Sequence, residues 1–351
     1  MNLFLLSWLF FAPQLNETIE VRRTIIDAHV VDLNHELIPD LEAKDFRVLV
    51  DGKEAQIDSV SWIDDQAEVG EEPVELFPDG NKESTPPAPL EVPLTARPLR
   101  GRLFVLFVQT DFARQGKRVV GDMGVIASFH KFVETLRPQD QVALLSFDSH
   151  LKLRLDFSTD RAELQRIFPT VIAIDEPPAI SAGAPPSLAA LLDPHDMKYA
   201  PTSEKSLTVL ARALRRIDGP KHLVLFGWGM SEPVFGRPFV NAETVRAGAE
   251  LAAARTTVYA FNYGLGKQMA FGLKSVADDT GGFYFSAPVT EAFSPLELQF
   301  LPRLDAYLEG HYEIEFRSPV PVDPTKIHDL DVRVKRKGAT VITKKSFVDI
   351  P

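Results

Sequence analysis

The stretch that most limits what this chain can become is Leu103 to Gly116, LFVLFVQTDFARQG. An unbroken apolar run from Leu103 to Val108 has no polar alternation, so a strand made from it must be covered on both faces. That requirement selects a parallel sheet with helices above and below. The run then stops at Gln109, Thr110 and Asp111, and such polar strand tips are where open parallel sheets bind ligands.

The neighbouring sequence carries the same pattern. Strands are predicted at Leu103–Val108, Gln141–Phe147, Lys152–Phe157, His222–Phe226, Thr257–Asn262 and Gly282–Phe285. Val120, Met123, Ile126, Phe129, Val133 and Leu136 recur every three or four residues and predict a helix ending before Pro138. Ser206–Ile217 and Ala242–Ala254 predict two more. Strands alternating with helices give a doubly covered parallel sheet. Lys152, Arg154 and Asp156 alternate with Leu151, Leu153, Leu155 and Phe157 after a short connection, which predicts an antiparallel edge strand with one charged face. Asp175–Lys205 is rich in Pro and Ala, lacks a period and reads as a long inserted loop.

Two flanking blocks have strands with one apolar face. Residues 20–65 include Asp45–Ile63, a predicted hairpin with Asp51-Gly52 at its turn. In residues 304–350, Tyr312, Ile314 and Phe316 alternate with Glu313, Glu315 and Arg317, and Leu330, Val332 and Val334 alternate with Asp331, Arg333 and Lys335. Gly338 is placed to turn the chain into Ala339–Ile342. Each block needs a cover, and the economical arrangement is that they cover each other as one small β-sandwich with the α/β block (100–290) inserted between its halves. Residues 66–99, rich in Pro and Glu, read as a linker.

Composition excludes several functions. A net charge of −11 repels phosphate backbones and argues against nucleic acid. The absence of Cys excludes disulfides, thiolate metal sites and cysteine nucleophiles. Residues 1–12 form a candidate signal peptide: Leu3–Ala12 is apolar but shorter than the ~20 residues that span a bilayer. No Lys or Arg precedes it, and a buried N-terminal element is the other reading. Export to the periplasm or exterior is expected, with no stable membrane span.

In order and spacing, DLEAKDFRVLVDGKEAQIDSVSWI, RLFVLFVQTDFA, DQVALLSFDSHLKLRLDFSTDRAEL, RALRRIDGPKHLVLFGWG, LKSVADDTGGFYFSA and HYEIEFRSPV…LDVRVKRKG resemble the von Willebrand factor A-related proteins of acidobacteria. The resemblance implies a Rossmann-like A domain, mainly parallel with one antiparallel edge strand. It also implies a metal-ion-dependent adhesion site at the C-terminal end of the sheet, where hydroxyls and carboxylates hold Mg²⁺ or Mn²⁺. The family pattern is Asp-x-Ser-x-Ser after the first strand, a Thr before a later helix and an Asp after the fourth strand. Laid on it, Gln109, Asp111 and Ala113 replace the first three ligands. Ser203 or Glu204 falls near the Thr, and Trp228 replaces the second Asp. Ala113 and Trp228 offer no usable oxygen and Gln109 only a neutral carbonyl, so the adhesion site is expected to be degenerate.

The expected function is therefore a non-catalytic, adhesion-type interaction module, exported and without cofactor, binding an unknown protein partner. Its candidate ligand face is Asp111, Arg114 and Trp228. Trp228 reads equally as an exposed anchor or as a plug for the space the metal loop left. The alternative is divalent-cation binding through Asp111 and Glu204 as rearranged ligands; as an acid/base pair they weigh less than two solvated carboxylates. A small-molecule enzyme ranks third, because no nucleotide fingerprint follows Val108 and no Gly-x-Ser-x-Gly elbow exists. His222 reads as a packing residue, Gly264–Lys267 as a plain turn and Lys335–Lys337 as a solvated basic tip.

Overall fold

The computed structural model describes residues 23–34, 36–64, 101–111, 129–172, 175–231, 239–262, 270–286, 301–321, 323 and 326–348. The candidate signal peptide, the linker, Ala113, Arg114, most of the predicted 120–136 helix and Gly264–Lys267 lie outside them. Among the described residues the strands are β1 (Arg23–Val31), β2 (Phe46–Val50), β3 (Lys53–Glu54), β4 (Gln56–Asp64), β5 (Leu103–Gln109), β6 (Gln141–Phe147) and β7 (Leu151–Ser158). They continue as β8 (Lys221–Gly227), β9 (Thr256–Asn262), β10 (Phe283–Ser286), β11 (Gly310–Arg317), β12 (Ile327–Val334), β13 (Thr340–Thr343) and β14 (Ser346–Val348). The helices are α1 (129–134), α2 (Arg161–Ile167), α3 (Pro194–Lys198), α4 (Ser203–Leu214), α5 (Ala242–Ala253), α6 (Ala270–Asp279) and α7 (Leu301–Tyr307).

The central sheet has the order β10-β9-β8-β5-β6-β7. All its neighbours are parallel except β7, which runs antiparallel to β6 at the edge. The apolar run forms the middle strand, β5, and every one of its residues is buried. Its alternate side chains feed two cores. Phe104, Leu106 and Val108 pack with Phe129, Phe132 and Phe168 on one face. Val105 and Phe107 meet residues of α4, α5 and α6 on the other. Both faces are covered, so a period-two polar pattern has no place in this strand.

The edge strand departs from expectation on its charged face. Lys152 and Arg154 are buried rather than solvated. Lys152 Nζ donates to Asp148 Oδ2 (2.7 Å) and to the Asp175 carbonyl (2.8 Å), while Arg154 donates to Ser146 Oγ (2.9 Å) and Asp175 Oδ1 (2.6 Å). Farther along, Asp156 accepts from Ser187 Oγ (2.6 Å) and the Leu188 amide (2.7 Å). The 175–193 segment is thus strapped across β7, and its Leu188 and Leu192 join the core beneath α4. Its continuation contains a short helix, α3, with Pro194 at its start and the Asp193 carboxylate capping it.

The flanking blocks form two four-stranded sheets, β13-β1-β11-β4 and β14-β12-β2-β3. Each mixes strands from both ends of the chain. Ile26, Ala28, Val30, Phe46, Val48, Val50, Tyr312, Ile314, Phe316, Leu330 and Val332 belong to one shared cluster. Asp51 (φ 49°) and Gly52 (φ 76°) make the expected turn. The return strand β3 lasts only two residues. After Ala55 the chain crosses to the other sheet, where β4 pairs with β11 through a register shift that skips Asp58. Among the described residues no helix is long and apolar enough to cross a membrane.

Candidate functional site

The middle strand β5 has β6 on one side and β8 on the other, so the chain leaves β5 in one direction first and returns on the opposite side for β8. This is a topological switch point, and the C-terminal ends of β5 and β8 frame its crevice. In sequence order the strands lie 3-2-1-4-5-6, which defines the class: a doubly wound, Rossmann-type α/β sheet.

At that end Gln109 is buried, and its Oε1 accepts a hydrogen bond from the Trp228 amide at 3.2 Å. Gly227 makes room for this amide group, because a Cβ there would lie 3.1 Å from Gln109 Oε1. Thr110 turns towards β6, its amide (2.6 Å) and hydroxyl (3.1 Å) both donating to the Phe147 carbonyl. The Trp228 indole Nε1 donates to Asp111 Oδ1 at 2.5 Å. The partly buried indole packs against the core that contains Val108 and Phe226. The site thus joins Gln109, Asp111 and Trp228 through direct bonds.

Glu204 belongs to a second cluster. It lies in the first turn of α4, which is capped by the Thr202 hydroxyl. Its buried carboxylate accepts from the Ser231 amide (2.9 Å) at Oε1 and from Ser203 Oγ (3.1 Å) at Oε2. The Thr244 hydroxyl lies 2.6 Å from Ser231 Oγ, 2.9 Å from Asn241 Oδ1 and 3.5 Å from Glu204 Oε1. Asn241 caps α5 by accepting from the Thr244 amide at 2.7 Å. Ser231 sits at φ 64°, in the left-handed region that non-glycine residues avoid. Glu204 therefore ties the connection after β8 to the start of α4. Among the described residues no group of three or more His, Asp or Glu is gathered as a metal cluster.

Nearby, burial pushes the Asp148 carboxyl up, but hydrogen bonds from Lys152 and Ser149 outweigh it and hold it below the usual carboxylate range. His222 is a core residue, its Nδ1 3.2 Å from the Tyr259 hydroxyl and its ring 5.2 Å from that of Phe104. The basic tip is pinned: Arg336 pairs with Asp40 (2.5 Å), and Lys335 Nζ donates to the Lys44 carbonyl. Sequence reasoning missed Ser231, Asn241 and Thr244. Asn241 before the apolar period of α5 was a legible cap, whereas Ser231 carries no local signal.

No family model matches the sequence, and no curated protein matches it. Among solved structures, a von Willebrand factor type A protein from Catenulispora acidiphila is 10% identical, over 70% of this chain and 66% of that one, with a TM-score of 0.40. An aerotolerance-related membrane protein from Bacteroides fragilis is 12% identical, over 58% of this chain and 99% of that one, with a TM-score of 0.38. BatB from Bacteroides thetaiotaomicron is also 12% identical, over 58% and 100% of the two chains, with a TM-score of 0.36. These are distant likenesses and place no residue of the site.

Proposed function

We propose that this protein is a non-catalytic, von Willebrand factor A-related interaction module of the cell envelope or exterior that docks a protein partner without an ion. In this reading the two four-stranded sheets are one sandwich, interrupted by the α/β body. The observation that carries the proposal is the Trp228–Asp111–Gln109 constellation. A hard cation at this strand end needs several oxygens free to point at it. Trp228 instead presents a donor, and it directs that donor at Asp111 Oδ1. Gln109 Oε1 is engaged by a backbone amide. The donor set does not fit Mg²⁺ or Mn²⁺. Glu204, the other member of a rearranged pair, is bound to Ser203 and Ser231.

The apolar segment Leu3–Ala12 supports export. An amphipathic indole at a strand tip suits a docking face, since Trp is enriched among interface anchors. Calorimetric titration with Mg²⁺ and Mn²⁺ tests the ion: no heat and no rise in melting temperature are expected at millimolar concentrations, because an ion held only by the folded state must stabilise it. An anomalous manganese peak beside Gln109 and Asp111 in a soaked crystal would refute the reading. Docking is tested with a photo-reactive benzoylphenylalanine at position 228, against a control at Leu33. A discrete adduct at 228 alone is expected, and none at either position counts against the proposal.

A further inference from the structure

We propose that the junction between the α/β body and the two outer sheets is a proton-sensitive clamp: acidification charges it and weakens the hold of Arg255 on β1 and β11. Its residues lie at the end of the central sheet opposite the Trp228 tip. Arg255 follows α5 in the left-handed conformation (φ 51°). Its amide donates to the Ala252 carbonyl (3.1 Å), and its carbonyl accepts from the Lys221 amide (2.9 Å), so its backbone belongs to the α/β body. Its side chain belongs to the outer sheet. Nε donates to Asp27 Oδ2 (3.0 Å), and Nη2 donates to Asp27 Oδ1 (2.5 Å) and Glu313 Oε2 (2.7 Å). One residue thus grips both bodies.

Four other basic residues, Lys344, Lys221, His311 and His29, surround Arg255 and its two carboxylates. Lys344, in the turn between β13 and β14, is buried, and its Nζ donates to the Ala252 carbonyl at the end of α5 (3.1 Å). Its backbone forms a bridge with Thr280, and the Lys345 amide donates to the Asp279 carbonyl (3.0 Å), joining the turn to α6. Lys221, opening β8, is buried with its Nζ on the Ile217 carbonyl (2.7 Å). His311 Nε2 on β11 is 3.5 Å from Asp27 Oδ1. His29 on β1 has Nδ1 3.0 Å from the Gly310 carbonyl and its ring 6.1 Å from that of His311. Among the described residues, the other charges on the elements packed here are Asp218 beside Lys221, Asp278 on α6 with Lys345 of the turn at 3.7 Å, and the raised carboxyl of Asp279. With every base protonated, Arg255, Lys221, Lys344 and His311 outnumber Asp27, Glu313 and Asp218 at a largely buried junction.

Both lysines bond to a backbone carbonyl and not to a carboxylate, so a neutral amine keeps its hydrogen bond while losing the burden of a buried charge. Burial pushes Lys221 down to about 7, with Arg255 adding to it, and pushes Lys344 down to about 8 against the pull of Asp27. Both start from 10.5 when exposed. The closed clamp therefore binds fewer protons than the open one from about pH 7 to 10.5, and closure strengthens as pH rises through that window. Between pH 9 and pH 6 the opening equilibrium grows about tenfold through Lys344 and about a hundredfold through Lys221, if each is fully exposed when open.

Hydrogen–deuterium exchange of the full chain, corrected for intrinsic rates, tests this at pH 6 and pH 9. Amides at 252–256 and 340–348 are expected to lose protection at the lower pH, while β5 and β8 away from the junction keep theirs. Lys344→Met is expected to remove about tenfold of that change and Lys221→Met about a hundredfold. An unchanged pH response in both variants, or a loss of protection spread evenly over the chain, overturns the proposal. If the variants do not fold, side-chain NMR titration of the unaltered protein decides it: midpoints near 7 and 8 support the clamp, and midpoints near 10.5 refute it.

Discussion

Replacing Glu204 separates a carboxylate that serves as a hydrogen-bond acceptor from one held ready for an ion. Glu204→Ala removes the acceptor for the Ser231 amide (2.9 Å) and for Ser203 Oγ (3.1 Å), and both residues are buried. A buried donor left without a partner costs about 1–3 kcal/mol. The Ser203 hydroxyl can rotate towards another acceptor, so most of the penalty falls on the fixed Ser231 amide, which also sits in a strained backbone conformation (φ 64°). The expected loss is about 3 kcal/mol, or about 4 °C in melting temperature for a chain of 351 residues. Glu204→Gln keeps an oxygen at Oε1 for the amide, and its new NH₂ group can donate to Ser203 Oγ. Its expected cost is below about 1 kcal/mol. Thermal melts of the two variants with and without millimolar Mn²⁺ measure the difference. If Gln proved as damaging as Ala, or if Mn²⁺ stabilised the unaltered protein and not the Gln variant, the charge itself would be the function and the acceptor argument would fail.

Other outcomes follow from single contacts. Burial pushes the Asp27 carboxyl up, but Arg255, His311 and Lys344 outweigh it and hold it at about 2, against 3.8 when exposed. Its contribution of about 2 kcal/mol is present in full above about pH 4 and is lost as pH falls through 2; acid titration of Asp27→Asn should lack that component. Gly272→Ala would put a Cβ 2.6 Å from the Met230 carbonyl oxygen, forcing the connection after β8 away from α6. A loss of about 1–3 kcal/mol is expected in urea melts, and a neutral result would contradict the packing. Tyr312→Phe removes a hydroxyl that donates to the Ile38 carbonyl (2.5 Å) and accepts from the Leu41 amide (2.9 Å). About 1–3 kcal/mol should be lost, with faster exchange at the Leu41 amide.

The parts of this fold that were legible obey a local period. The run in β5 announced its double cover, and the alternation at Tyr312, Ile314 and Phe316 announced which side of β11 faces a core. What stayed hidden depends on partners distant in sequence. Lys152 and Arg154 alternate with leucines as a solvent-facing row does, and their burial rests on Asp175, beyond α2, acting together with Asp148 and Ser146. The crossing at Ala55 was masked because Phe46–Val50 and Ile57–Trp62 are both strand-like, and the skipped Asp58 breaks the period between them. At the site, the polar end of β5 at Gln109 and the aromatic after β8 at Trp228 were legible, but their bond to each other was not. Ser231 acquires its role only through the carboxylate that α4 presents to it.

The pairing of β1 with β11, in which Arg23 lies opposite Arg317, has a consequence for the order of events during synthesis. After β1 has been made it must remain without its sheet neighbours until β11 has been completed at residue 317. At about 10 residues per second that interval is on the order of half a minute. The α/β body, whose strands are nearly consecutive, can collapse within it, whereas β1 and β4 stay as bare edges open to any passing strand. A nascent chain of this kind is vulnerable at β1 and β4 for as long as that interval lasts, and shielding by a chaperone there should limit mispairing.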